Sequence, residues 1–269
     1  MAPYRTTVYR YPSESGILFL TVVLVLGVIT FTAAATLCLS ALFVLVIIVI
    51  SYFSSQSSHR SLLQHAYQVD ASRAPQLDAL VRQCQARLQP GALDVFVLPN
   101  PALNAYTFGL SDPKVLVLYS SLSNVMDDSE MCFILGHEMG HASLGHTCIN
   151  SLVGGMAGIP APLGAAVLLN AAFLWWNRAC EYSADRAGLL ACGSINKAVS
   201  ALIKLGIPGV HSQAEIAQAL RLLDAEDDNV VNLLGESLST HPMIIKRINE
   251  LRKYAATRNY QQLQAWMNA

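Results

Sequence analysis

Charged side chains are scarce in this sequence. They make up 13% of its 269 residues, against about a quarter in an ordinary soluble domain. Hydrophobic residues reach 53%, so part of the chain belongs in lipid. Between Gly16 and Phe53 charge is missing altogether for 38 positions, where one membrane crossing needs about 20 apolar residues. Net charge is missing too. Seventeen Lys and Arg against eighteen Asp and Glu leave −1, so no field exists to gather nucleic acid or strongly acidic ligands, and nucleic acid is excluded as a partner. No CxxC pair occurs among the six cysteines, which are scattered, with Cys38 inside the apolar run. They read as reduced thiols in a reducing compartment. Internal repeats and low-complexity tracts are absent. The length allows one good-sized domain plus membrane segments and excludes two full catalytic domains.

The marks of a cleavable signal peptide are also lacking: the apolar run is too long, and no small-residue cleavage site precedes a polar start. Residues 1–15 form an N-terminal tail and residues 16–53 a transmembrane hairpin of two short spans, 16–33 and 36–53, or else one long tilted helix. The hairpin is favoured. It leaves Arg5 and Arg10 on the same side as Arg60 and all that follows, which the positive-inside tendency puts in the cytoplasm of a bacterial-type inner or plasma membrane. A polar linker, 54–74, leads into the domain at 75–269.

That domain reads as α+β and mostly helical, with a small β-sheet. A helix is expected from Pro75 to Leu88, ending at Pro90-Gly91. Strands are expected at 93–98 and 114–119, bounded by Pro99-Asn100-Pro101 and Asp112-Pro113. Helical periodicity returns over 128–148, near 194–205 and 213–224, and over an amphipathic 243–266. A second apolar stretch, 152–176, is interrupted by Pro160 and Pro162.

The stretch 128–148 contains His137-Glu138-Met139-Gly140-His141. Positions four apart on a helix lie about 40° apart around its axis, so both imidazoles project toward one point and can hold one Zn²⁺. Glu138, beside the first of them, is placed to take a proton from a water at the metal. Gly136 and Gly140 suit a buried helix approached closely by another backbone.

A catalytic zinc needs a third protein ligand. His146 superficially completes a metzincin pattern, but Gly145 and His146 follow His141 by four and five residues, where that pattern needs three and six. On a continuing helix His146 would point about 140° away from His141, which suits capping or packing. The other candidate is distant. Glu181 and Asp185 share a helical face among small and apolar residues. Glu181 could bind the metal while Asp185 accepts a hydrogen bond from the outer nitrogen of a ligand histidine.

Together these residues resemble the HtpX-like and CAAX prenyl endopeptidase family of integral-membrane zinc peptidases, of gluzincin type. The resemblance is carried in order by Asn104-Ala105-Tyr106-Thr107-Phe108-Gly109, by Leu135 to His141 with His146 behind it, by Arg178, Glu181 and Asp185, and by Ser239-Thr240-His241-Pro242 with Arg247. It implies N-terminal transmembrane helices followed by a zincin-type metallopeptidase domain. It further implies one zinc held by His137, His141 and Glu181, with Glu138 as base and Asp185 supporting a ligand. His241 and Arg247 would face the active site, where a donor could stabilise the oxyanion. Asn104, Ala105 and Gly109 would contact substrate, in a block preceding the strand 114–119, which would be the edge strand lining the cleft and take an extended peptide by strand addition.

The chain departs from the family twice. HtpX-like members carry two further spans between the second His and the ligand Glu, whereas this chain has one apolar stretch there. A single crossing at 152–176 would put His137 and Glu181 on opposite sides of the bilayer, so the stretch must enter and leave on one side or be buried in the domain. The many spans of the CAAX peptidases are also missing. Cleavage of membrane or misfolded proteins is therefore expected before prenyl-protein processing, and before a catalytically silent membrane scaffold. The polypeptide substrate and membrane lipid are the expected partners. The two ligand sets separate by metal analysis: Glu181→Ala should lose the zinc, whereas a metzincin arrangement would keep it and lose it in His146→Ala.

Overall fold

In the computed structural model the described residues are 6–35, 64–109, 112–153, 163–225 and 241–267, with isolated positions between 42 and 57. A 3₁₀ turn at Thr6–Tyr9 leads into α1 (Glu14–Ala35). The expected second span, 36–53, falls largely outside the described residues. Strand β1 (Tyr67–Gln68) follows, then α2 (Pro75–Leu88), β2 (Leu93–Leu98), β3 (Ala105–Phe108), β4 (Lys114–Tyr119) and a single turn, α3 (Leu122–Val125). Seven more helices complete the described chain: α4 (Asp128–Leu144), α5 (His146–Val153), α6 (Leu163–Cys192), α7 (Ile195–Gly206), α8 (Gln213–Ala225) and the pair α9 (His241–Ala255) and α10 (Arg258–Met267). The fold is mostly helical with one small sheet, as expected.

The two long strands and α2 have the bounds read from the sequence, because Pro and Gly punctuate all three. The sheet runs β1-β2-β4-β3. Strands β2 and β4 are parallel, and β3 is antiparallel to β4; the strand expected at the edge, 114–119, is therefore an inner strand paired on both sides, and among the described residues the edge falls to β3, formed by residues not read as a strand. The segment read as linker supplies β1, antiparallel to β2. Val95, Val97, Leu116 and Leu118 face a core shared with α2, α4 and α7.

Helix α4 starts at a capping box, in which the Asp127 side chain accepts from the backbone of Ser129 and Glu130 and Glu130 returns a bond to the Asp127 N–H. This satisfies donors the first turn would otherwise strand. The same Glu130 is fully buried and pairs with Lys204 of α7 at 2.6 Å. Removing either partner would leave an uncompensated buried charge, at a cost of about 3–5 kcal/mol. The helix expected over 128–148 breaks at Gly145, whose φ of +80° favours glycine. The chain turns there, and His146 begins a new helix.

Helices α4 and α6 lie almost backbone to backbone. A Cβ at Gly136 would stand 2.4 Å from Ala191 Cβ, one at Gly140 2.7 Å from Ala187 Cβ, and one at Gly188 2.7 Å from the Phe133 carbonyl oxygen. None of these neighbours is a flexible chain end.

Helix α1 is long and apolar enough to cross a membrane, with Phe19 and Phe31 70% and 79% exposed. Its start is different. Tyr9, in the segment read as a tail, is fully buried in the main core. Ile17 packs with Trp176, Ala179 and Cys180 of α6, and Thr21 Oγ1 lies 3.4 Å from the Ala172 carbonyl. Rising numbers on α1 meet falling numbers on α6, so the two helices are antiparallel. Gly136→Ala should destabilise the protein by about 1–3 kcal/mol through overpacking of the seam, read as a lower denaturant midpoint.

Candidate metal centre

The site is built where α4 and α6 touch. His137 Nε2 and His141 Nε2 are 3.2 Å apart. Glu181 of α6 reaches both, with Oε2 3.6 Å from His137 Nε2 and Oε1 3.3 Å from His141 Nε2. Ligand bonds of about 2.0–2.1 Å in a tetrahedral site place neighbouring donors roughly 3.3 Å apart. Two imidazoles and a carboxylate with these separations fit a metal ion. The outer nitrogen of His137 is held too: Nδ1 lies 3.0 Å from Asp185 Oδ1, so a proton on Nδ1 leaves the Nε2 lone pair facing the donor set.

Arg247 of α9 ties the two carboxylates together. Its Nε and Nη2 donate to Asp185 Oδ2 and Oδ1 at 2.8 and 2.6 Å, while Nη1 lies 3.0 Å from Glu181 Oε2. Three of its five N–H groups are thus committed to carboxylates. The resemblance made Arg247 a donor toward substrate; the structure uses it mainly to hold Glu181 and Asp185. Burial pushes the Glu181 carboxyl up, but Arg247, His141 and His137 outweigh it and hold it well below the usual range. Burial likewise raises Asp185, and Arg247 and His137 pull it below its ordinary value. Burial lowers His141, yet Glu181 turns the balance and raises it.

The remaining expected residues divide. Glu138 is buried on the cleft side of α4, beside the donor set. Asn104 and Ala105 line a cleft of about 540 Å³ together with Tyr106, Thr107, Glu138 and Arg247. Gly109 ends β3 with φ of +127°, and a Cβ there would press on Lys114 Cα at 3.3 Å; it shapes the strand end and does not line the cleft. His241 is the first residue of α9, and its side chain lies outside the described residues. Thr107 escaped the sequence reading. Its Oγ1 lies 2.8 Å from Glu138 Oε2, on the face of β3 that Ala105 also turns toward the main core. His146 is no third ligand: its Nδ1 stands behind His141, 3.0 Å from His141 Nδ1.

The sequence model of peptidase family M48 matches residues 68–255. The chain belongs to peptidase family M48. Among similar proteins is the plastoglobule-localized metallopeptidase 48 of Arabidopsis thaliana chloroplasts, 28% identical over 211 residues, covering 72% of this chain and 61% of that protein. The chain thus spans less than two thirds of that relative's length. Protease HtpX homologs of Ralstonia pickettii and Burkholderia cenocepacia are 25% and 26% identical, each over 78% of this chain and over 85% and 86% of their own lengths. This M48 member is a membrane-associated metalloprotease, and polypeptides are its substrate class.

The depressed carboxylates make the metal-free protein sensitive to acid. A carboxyl lowered on folding stabilises the fold above its unfolded pKa, near 4.5 for Glu181 and 3.8 for Asp185, and that stability is lost as pH falls through the folded value. In chelator, thermal unfolding should therefore lose stability below about pH 4.5. Arg247→Met should lower stability at neutral pH and shrink or reverse this acid loss, because two buried carboxylates without their counter-ion take up protons more readily when folded.

Proposed function

We propose that this chain is a membrane-anchored zinc endopeptidase that cleaves membrane or misfolded polypeptides, with His137, His141 and Glu181 holding one Zn²⁺ and Glu138 as the general base. The observation that carries it is the convergence of those three side chains, whose donor atoms all lie within 4.8 Å of one another, beside a buried carboxylate in a strand-edged cleft. Two imidazoles and one carboxylate suit zinc over the harder cations, which prefer oxygen alone. When bound, the metal would polarise the scissile carbonyl and acidify water.

The rest falls to the chain's own residues. Glu138 takes the proton of the attacking water and delivers it to the leaving amine. Thr107 donates to Glu138 Oε2, which orients the carboxylate and leaves its other oxygen for that water. The outer side of β3, the last strand of the sheet among the described residues, pairs with an extended peptide, aligning it across the cleft by main-chain hydrogen bonds that any sequence can make. That suits unfolded substrates. Asp185 holds His137, Arg247 holds Asp185 and Glu181, and His241 is assigned to the oxyanion on the strength of the family resemblance.

The insert fits one-sided entry into the bilayer. The first half of α6 runs beside α1, and Leu174 and Trp175 are about half exposed; residues 154–162 lie outside the described residues. The active site would then stand on the side that carries Arg10 and the linker.

Glu138→Gln should retain metal and lose proteolysis of an unfolded substrate by roughly 10²–10⁴-fold. A cleavage rate equal to that of the wild type would sink the assignment.

A further inference from the structure

The last group behind the metal donors comes from an unexpected part of the chain. His146 Nε2 lies 3.1 Å from Oε1 of Glu14, a residue in the first turn of the apolar helix α1 and outside the stretch matched to the family. Both side chains are shut away from solvent, Glu14 2% and His146 1% exposed. Resting on the metal site read above, we propose that Glu14 is a positioning residue for the metal: acting through His146, it fixes the tautomer and orientation of His141, so that the membrane helix is part of the metal centre.

The assignment of protons leaves no freedom. A neutral imidazole carries one proton, on one nitrogen. His141 Nε2 faces His137 and Glu181, so its lone pair must be there and its proton on Nδ1. That proton points at His146 Nδ1, 3.0 Å away, which must therefore be the acceptor. The proton of His146 is then on Nε2 and is donated to the Glu14 carboxylate. Each ligand histidine thus has an anion behind it: Asp185 directly behind His137, and Glu14 behind His141 with one imidazole between.

Glu14 is itself fixed. Ser183 Oγ donates to its Oε2, and Arg10 Nε lies 3.4 Å from Oε1. The Tyr11 N–H donates to Ser183 Oγ at 2.7 Å, and Arg186 stacks between the rings of Tyr11 and Tyr254 at 4.9 and 4.6 Å. Residues 9–17 are therefore held against the helix that bears Glu181 and Asp185.

A rival reading of the cluster defeats itself. Glu14, His146 and Cys180 could hold a cation of their own. Such an ion would take the His146 Nε2 lone pair and push the proton onto Nδ1. The bond to His141 would reverse and place a proton on His141 Nε2, facing the first donor set. One metal per chain follows.

The test uses the full chain in detergent, with Zn²⁺ as probe and a chromophoric chelator as competitor. Glu14→Gln should weaken Zn²⁺ binding roughly 10- to 100-fold, the range found when such outer partners are lost, in a zinc-free protein that stays folded at the assay temperature and is destabilised by less than the affinity loss. His146→Asn keeps an acceptor for the His141 proton but cuts the link to Glu14. In that background Glu14→Gln should change affinity by less than twofold. Three results overturn the proposal: affinity within twofold of wild type in Glu14→Gln, a loss matched by destabilisation of the zinc-free protein, or additive effects of the two substitutions. Two zinc ions per wild-type chain would also overturn it. A wild type that binds no zinc would instead sink the metal site itself.

Discussion

The site depends on how closely α4 and α6 can approach. A carboxylate has a short arm, so Glu181 and Asp185 reach His137 and His141 only if the two backbones nearly touch. Gly136 and Gly140 on one helix face Ala184, Ala187, Gly188 and Ala191 on the other, and a single added methyl at Gly136 would overlap Ala191. Glycine in a helix interior costs roughly 1 kcal/mol in propensity relative to alanine. Here that cost is exchanged for a contact distance no larger residue permits. The capping box and the buried Glu130–Lys204 pair then hold α4 in register at its start, where slippage would carry both histidines out of line.

Close packing creates an electrostatic problem that Arg247 solves. Two carboxylates brought side by side in a cleft repel, and burial favours protonating one of them. A guanidinium that bridges both reverses the preference, so Glu181 and Asp185 stay ionised. Arginine suits this better than lysine, because its planar fork takes Asp185 through two nitrogens and still leaves a third for Glu181. The same arrangement explains why an expected donor to substrate is found clamping the ligands.

Much of this was legible in the sequence, and what was not has a common cause. Local signals located α2, β2, β4 and the His-Glu-x-x-His helix, because Pro, Gly and periodicity act over a few residues. Gly136 and Gly140 signalled close approach, since nothing else explains glycine twice in a buried helix. Glu181 was a candidate from its spacing with Asp185 among small, apolar neighbours, but an i, i+4 acidic pair is an ordinary helix surface, and the resemblance was needed to prefer it as the third ligand. The break at Gly145 was missed: a glycine followed by histidine is compatible with a continuing helix, and only the left-handed turn brings His146 behind His141. Thr107 and Glu14 were beyond reach. Their roles arise from contacts across 31 and 132 residues; Thr107 stood inside the resembling block 104–109 with no role attached, and Glu14 belongs to no motif.

The apolar helix α1 and the candidate metal centre are closer than a tether would require. On α1, Glu14 is buried against His146 while Phe19 and Leu20 are already exposed and apolar, five or six residues further along, roughly 8–9 Å at 1.5 Å per residue. On α6 the change is similar: Trp175 is half exposed, and Glu181 follows six residues later. Both helices pass from metal centre to exposed apolar surface within two turns. If α1 spans the bilayer, the cleft stands at its rim, and β3 lies within reach of a chain that has just left the lipid or has failed to enter it. A soluble folded protein would have to unfold a strand to pair with that edge; a segment emerging from the membrane meets it already extended. On the proposed reading the geometry of anchoring would select the substrate, with main-chain pairing supplying the grip and the position of the rim supplying the choice.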